Sequence, residues 1–261
     1  MLKIVSFGGG VNSTALLIGL QECGERPEAI LFADTGGEKP ETYKHIDRVR
    51  NWCYEVGFPE VQFVRYHESK HATLEMECLN NETLPSKAFG FSGCSVKWKR
   101  QPMDKWIDKW PNAQQAWASG EKVARLIGLH AGEMRRGKIP DTDKFTFCYP
   151  LREWGWSQVE CEAAHARASL PLPVKSACFF CPAMKKNEVI RLAKEHPDLF
   201  ERAIEIERNA RESGSLETVK GLGRNWTWEA LVKADEQQRK LFVDSQAPLC
   251  DVCMNGEAMG G

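Results

Sequence analysis

The sequence predicts an α/β protein built on an open, mostly parallel sheet with helices on both faces. Short apolar runs alternate with longer stretches of helical periodicity, the pattern of strands that are covered rather than solvent-facing. A glycine cluster, Gly8 to Gly10, follows the first apolar run directly. With 261 residues, 42% of them hydrophobic and 27% charged, the chain is long and apolar enough to bury a sizeable core.

Lys3 to Ser6 reads as a short buried strand, and Ser13 to Cys23 as a helix carrying Ala15, Leu16, Ile18 and Leu20. Ala29 to Ala33 is a second strand that ends at Asp34-Thr35-Gly36-Gly37, after which Pro40 opens a helix to about Val56. Val61 to Tyr66 alternates as a third strand, and Arg125 to Leu129 reads as a fourth, ending near Gly132 and Glu133. Between residues 67 and 118 the periodicity blurs around Trp98, Trp106, Trp110 and Trp117, which reads as an insert over the sheet's C-terminal edge. Glu188 to Arg211 is strongly helical in pattern, split in two by Pro197. Trp154/Trp156 and Trp226/Trp228 alternate at strand-like spacing. The domain reading is one unit over 1–215 containing the insert, then a less regular tail over 216–261.

Lys and Arg number 35 against 36 Asp and Glu, a formal charge of −1, so a uniformly basic nucleic-acid coat is excluded. The longest strictly apolar run, Ala29 to Ala33, is far shorter than the roughly 20 residues of a membrane span. Met1 to Ser6 lacks the charged and apolar regions of a secretory leader, and the expected location is cytoplasmic. In a reducing compartment the 10 cysteines become metal-ligand or redox candidates. Cys23, Cys53 and Cys78 read as small buried side chains. Cys178/Cys181 and Cys250/Cys253 form two C-x-x-C pairs.

Ser6-Phe7-Gly8-Gly9-Gly10-Val11-Asn12-Ser13-Thr14 follows a strand and opens a helix. Glycines allow close backbone approach, and first-turn amides with the Ser13 and Thr14 hydroxyls offer donors to phosphate oxygens. No Lys follows the glycines and the spacing is not G-x-G-x-x-G, which argues against kinase-type and dinucleotide loops.

This segment resembles the pyrophosphate-binding S-G-G-x-D-S loop of the adenine nucleotide α-hydrolase (PP-loop ATP pyrophosphatase) superfamily, with Asn12 where that pattern has Asp. Three further motifs, in order, are similar to those of PAPS reductase-like proteins. They are Phe32-Ala33-Asp34-Thr35-Gly36 with Pro40-Glu41-Thr42; Gly128 to Arg136, which contains Glu133, Arg135 and Arg136; and Tyr149-Pro150-Leu151-Arg152-Glu153-Trp154. The resemblance spans residues 3 to 210 and implies a five-stranded Rossmann-like sheet binding its nucleotide over the strands' carboxyl ends. Adenosine would lie near Ser6 and Phe32-Ala33-Asp34, and the phosphates, with magnesium, on Gly8, Gly9, Gly10 and Ser13, with Asn12, Thr14, Thr35 and Gly36 among the nucleotide-binding residues. Glu133 and Arg136 would complete the nucleotide site, and Arg135 would act in catalysis with Lys99.

Cys94, followed by Lys99-x-x-Pro102, resembles the first member of the cysteine pair of adenylyl-sulfate reductases, and Ser95 replaces the second. Ser176-Ala177-Cys178-Phe179-Phe180-Cys181-Pro182, 84 positions on, resembles their C-x-x-C. The resemblance implies a [4Fe–4S] cluster on Cys94, Cys178 and Cys181, with Lys97, Lys99 and Arg100 as neighbouring positive charge. Its fourth position stays open between Cys148, Cys161, a tail cysteine, Ser95 and an open iron. A rival assignment joins Cys178/Cys181 to Cys250/Cys253 in a Cys₄ zinc site, at a longer spacing than a compact zinc ribbon. The tail C-x-x-C stands where the reductases carry a terminal nucleophilic cysteine, so Cys250 and Cys253 are candidate catalytic thiols.

The chemistry implied is sulfur transfer or reduction on ATP or a (phospho)adenylyl sulfate. A sulfurtransferase would need a sulfur donor, and a reductase proper a thioredoxin-like reductant. An acceptor, if there is one, would be tRNA, DNA or a small molecule, with Trp98 in its basic run as a stacking candidate, and a homodimer is compatible. A non-catalytic nucleotide-binding subunit with structural zinc is the rival from another class.

Overall fold

The computed structural model describes residues 1–133 and 138–245, with side chains to residue 240. The first half runs β1 (Lys3–Phe7), α1 (Val11–Glu22), β2 (Ala29–Ala33), α2 (Pro40–Glu55), β3 (Val61–Val64) and α3 (Leu74–Asn80). Then come α4 (Gly93–Ser95), a π-helical turn (Val96–Arg100), α5 (Gln101–Lys109), α6 (Pro111–Ala118) and β4 (Val123–Ile127). The chain continues through β5 (Phe145–Cys148), α7 (Pro150–Glu153), α8 (Gln158–Arg167), α9 (Lys186–Glu195), α10 (Pro197–Glu212) and α11 (Trp228–Ser245).

The five strands form one sheet in the order β3-β2-β1-β4-β5, and every pairing is parallel. Because side chains alternate across a strand, each apolar run feeds two cores. Val5, Phe7, Ile30, Phe32 and Leu126 pack with α1, α2 and α8, whereas Ile4, Ala29, Leu31 and Val123 pack with Met103 and Ile107 of α5 and Ala113 and Ala116 of α6. Helix α1 is buried from Ser13 to Leu20, which explains its uninterrupted apolar sequence: it lies between the sheet and α8. A third core lies beside the loop leaving β2. It gathers Leu74 and Cys78 of α3, Trp98, Cys178 to Phe180, and the apolar faces of α9 and α10.

The sequence pattern showed four strands, and the fifth, Phe145-Thr146-Phe147-Cys148, is a short edge strand. Asp141 marks it, since its carboxylate accepts from the Thr146 hydroxyl at 3.0 Å and the Phe147 amide at 3.1 Å. β4 occupies Val123–Ile127 rather than 125–129, because Gly128 already leaves the sheet. Residues 67–118 form the connection from β3 to β4: α3 builds the third core, and α5 and α6 cover one sheet face. The alternating tryptophans are not strands. Trp154 follows α7 and Trp228 opens α11, and Trp154 and Trp156 lean together with ring centroids 5.2 Å apart. Pro197 does break the long helical pattern, at the α9–α10 boundary.

Of the stretch 216–261, the described part adds Leu222, Trp228 and Val232 to the third core. Glu207 of α10, 1% exposed, fastens it by accepting from the backbone amides of Leu222 at 2.8 Å and Trp228 at 3.1 Å. Burial raises the Glu207 pKa against these amide bonds, so the folded chain holds this proton more tightly than the unfolded one. Its contribution is therefore greatest below the ordinary carboxylate pKa and declines as pH rises through the elevated one. Glu207→Ala, which strands two buried amides, should cost about 2 kcal/mol or more in urea unfolding. Glu207→Gln should flatten the decline in stability above pH 4.5.

Candidate nucleotide cleft and cysteine centre

The chain turns from β1 into α1 through three glycines, and Gly9 adopts φ +68°, a left-handed conformation that glycine enters without penalty. Gly10 caps α1. Its amide donates to Ser13 Oγ at 3.3 Å, and its carbonyl accepts from the Thr14 amide at 3.1 Å. The first turn of α1 has no acidic side chain, so the positive end of its dipole is unopposed there.

Between β1 and β4 the sheet reverses its order of strand addition, the place where parallel sheets open a crevice. A cleft of about 510 Å³ lies there, lined by Ser6, Gly8, Gly10, Asn12 and Ser13 on one side and Gly128, Lys175 and Ser176 on others. Gly128 is required by close approach: a Cβ there would fall 2.9 Å from the Asn12 carbonyl oxygen and 2.9 Å from Ser13 Cα. Asn12 Nδ2 donates to Glu133 Oε2 at 3.0 Å, which joins two of the expected nucleotide residues across the cleft's rim. An Asp at position 12 would set two carboxylates against each other, so Asn12 suits this partner.

Thr14 is a correction to the expected phosphate ligands. It is fully buried, its hydroxyl donates to the Gly10 carbonyl at 3.1 Å, and it lies 2.9 Å from His45 Nε2. His45 stacks on His165 beneath the loop, and burial, followed by His165, lowers its pKa to about 4, so it is neutral at pH 7. A Cβ at Gly9 would meet Thr42 and Ile46 of α2, so this position is closed to side chains. Asp34 is likewise committed elsewhere: Oδ1 accepts from Tyr43 Oη at 2.8 Å and the Gly36 amide at 2.9 Å, and Oδ2 from Arg65 Nη2 at 2.6 Å. It fastens the end of β2 to β3 and α2. Gly36 packs against Thr73, just before α3.

Thr35 turns to the cysteines, its Oγ1 standing 3.1 Å from Cys178 Sγ. Cys178 and Glu38 form an isolated antiparallel bridge, and the Phe179 amide donates to the Gly37 carbonyl at 2.7 Å. The segment before Cys178 reaches the glycine loop, where Ser176 Oγ donates to the Gly8 carbonyl at 2.6 Å. Glu38, its side chain fully buried, accepts from Lys99 Nζ at 3.1 Å and lies 3.4 Å from Ser176 Oγ. The phosphate cradle and the C-x-x-C loop therefore share a wall.

Cys178 and Cys78 belong to the third core, and Cys94 and Cys181 pack against it. Burial, partly offset by Lys99, raises Cys178 to about 12, and burial also raises Cys181. Burial, then Glu77, Cys94 and Cys178, pushes Cys78 up as well. Lys99 is shifted upward: burial opposes its charge, and Glu38, Cys178 and Cys181 more than compensate. The π-helical turn after Cys94 sends Trp98 into the core and Lys99 toward Glu38. Trp98 is 1% exposed and donates through Nε1 to Glu77 Oε2 at 2.6 Å, so it is a core residue and not a stacking platform.

Cys148 and Cys161 pack in the core around α1, apart from this centre, which removes both as fourth-ligand candidates. Arg135, Arg136, Cys250 and Cys253 lie outside the described residues. Among the described residues, no three of His, Cys, Asp and Glu close on a single metal-ion position. Lys175 and Ser176, which line the cleft, and Glu38, which lies 3.4 Å from Ser176 Oγ, are residues that sequence reasoning did not single out. Their only signal was position, directly after D-T-G-G for Glu38 and two to three residues before C-x-x-C for Ser176 and Lys175.

No family model matches the chain, and no curated protein does. Among solved structures, the chain is similar to the U34-tRNA thiolase NcsA from Methanococcus maripaludis with its [4Fe-4S] cluster. That match has 13% identity and a TM-score of 0.40, covering 89% of this chain and 80% of that one. It is also similar to a predicted subunit of tRNA methyltransferase from Methanocaldococcus jannaschii, at 14% identity and TM-score 0.36, covering 77% of this chain and 91% of that one. The fold assignment rests on this chain's own strand order.

Gly128→Ala should press a methyl group into the Asn12 and Ser13 backbone and displace the loop amides. With inorganic pyrophosphate as the probe, calorimetry should show binding weakened by about tenfold or more, roughly 1.4 kcal/mol, with circular dichroism unchanged. Unchanged affinity would place the anion elsewhere.

Proposed function

We propose that this chain is an adenine-nucleotide enzyme of sulfur transfer: it binds ATP at the glycine loop and uses thiol-held iron and sulfur beside it. The observation that carries this reading is the shared wall, in which Ser176 bonds to Gly8 and Glu38 joins Lys99 to the backbone of Cys178. A phosphate cradle and a thiol cluster held this close suit a reaction in which both ends act on one substrate.

The amides at the start of α1 and the Ser13 hydroxyl would hold the pyrophosphate of ATP. An acceptor oxygen would attack the α-phosphorus, forming one P–O bond and releasing pyrophosphate. Sulfide would then displace AMP, forming a carbon–sulfur bond as the carbon–oxygen bond breaks. Lys175, which lines the cleft and pairs with Glu188 at 3.0 Å, and Lys99 would offset the accumulating negative charge.

The donor set fits a [4Fe–4S] cluster: thiols only, set in an apolar core, with Lys99 and Lys175 near them. Cys94, Cys178 and Cys181 would hold it, and when bound it would supply an iron–sulfur group beside the phosphates. The chain's thiols must lose their protons to load it, so loading is favoured by raised pH. Lys99 eases that loss, since it opposes the burial that keeps Cys178 protonated.

Anaerobically reconstituted protein given Mg-ATP and sulfide is expected to convert ATP to AMP and pyrophosphate when the acceptor is present. Adenylyl sulfate with a dithiol should give no sulfite. Sulfite release without ATP turnover would instead identify a sulfonucleotide reductase. Neither reaction, with colourless protein carrying one zinc, would identify a binding subunit. Ser13→Ala should weaken ATP binding while iron content stays intact, and Cys178→Ser should abolish iron loading while pyrophosphate still binds.

A further inference from the structure

Cys78 is the one thiol of the centre that neither the motifs nor the C-x-x-C spacing single out. It lies on α3, 16 positions before Cys94, and is 3% exposed. It packs in the same core cluster as Cys178, with Cys94 and Cys181 against that cluster. Together with Cys94 it lines a cavity of about 540 Å³ whose wall includes Leu74, Glu77 and Trp98.

The placement is enforced from both ends of α3. At its start, the Leu74 amide donates to the Thr35 carbonyl at 3.1 Å, and the Thr35 hydroxyl stands 3.1 Å from Cys178 Sγ. Beside Cys78 in sequence, Glu77 pairs with Lys97 and accepts from the Trp98 indole, two residues of the turn that follows Cys94. The Cys94 amide donates to Ser86 Oγ at 2.7 Å, which fixes the backbone at that cysteine. The helix carrying Cys78 is thus tied to both halves of the predicted ligand set.

We infer that Cys78 is the fourth thiolate of the iron–sulfur centre, filling the position that Ser95 vacates. The inference rests on the cluster reading above. A cubane cluster with three cysteine ligands leaves one iron to another donor. Cys148 and Cys161 are in a different core, whereas Cys78 shares a core with Cys178, against which Cys94 and Cys181 pack, and lines a cavity with Cys94. Loading would form one iron–sulfur bond to Cys78 and release its thiol proton, with no change in oxidation state at the cysteine. With four protein thiolates the cluster has no open iron. Free sulfide from solution would then attack the activated acceptor and displace AMP.

The test uses the full-length chain, reconstituted anaerobically, with iron and sulfide analysis and electron paramagnetic resonance of oxidised and reduced samples. Wild-type protein is expected to hold about four irons and four sulfides. Cys78→Ala should fall to about three irons with the resonance of an oxidised three-iron cluster, or lose the cluster altogether. Cys53→Ala, which empties an equally buried thiol in the α1 core, should keep four irons and so controls for general loosening. Cys78→Ser preserves volume and covers the case in which the alanine variant fails to fold. It should load a cluster with an altered reduced spectrum. Four irons and an unchanged spectrum in Cys78→Ser, or loss of iron in Ser95→Ala with none in Cys78→Ala, would overturn the assignment. Wild-type protein without iron and sulfide would overturn the cluster reading itself, which is a distinct result.

Discussion

Everything at the centre of this molecule depends on one buried carboxylate. The Glu38 side chain has no exposure, and a charge in that position is tolerated only when its partners come with it. Those partners arrive from two directions, Lys99 from the π-helical turn and Ser176 from the segment before the C-x-x-C, while the Glu38 backbone forms a β-bridge with Cys178. Removing either partner leaves charge or hydrogen-bonding capacity stranded in the interior. The glycine loop, the loop after β2 and the cysteine loop therefore adopt their positions together.

The same reasoning explains why buried ionic groups elsewhere serve placement more than stability. Arg125 stands in the middle of β4, 4% exposed, paired to Asp104, within 3.3 Å of Ser6 Oγ, and over the rings of Phe145 and Phe147. Burial lowers the pKa of Arg125 and raises that of Asp104, so for each partner the loss of water outweighs the attraction between them. Such a pair contributes little net free energy, yet it joins α5 to β4 and reaches Ser6, which lines the cleft. Glu207 plays a similar part for α11, where a carboxylate stands in for missing backbone partners.

The legible parts of the sequence were those governed by local periodicity. Four strands, the glycine turn and the break at Pro197 follow from side-chain alternation and backbone sterics that act over a few residues. The fifth strand was not legible, because four residues on a sheet edge carry too little pattern and owe their pairing to β4 and Asp141. Ser13 and Thr14 look equivalent as hydroxyls at a helix start. Only the position of α2 and His45 decides that Thr14 turns inward while Ser13 lines the cleft. Asp34 had the composition of a ligand and became a fastener, since Arg65 and Tyr43 reach it from other elements.

What the chain determined by itself was a strand–glycine–helix anion cradle, a parallel sheet around it, and cysteine pairs whose soft donors suit metal chemistry. Their partnership was decided by the tertiary structure. Whether Cys78 or Cys161 joins Cys94, and whether Lys175 or Thr14 faces the cleft, depends on which core each helix packs into. Sequence patterns record the face a residue shows to its own element. Which other element meets that face is set by long-range burial, where residues more than a hundred positions apart, such as Thr35 and Cys178, come within 3.1 Å.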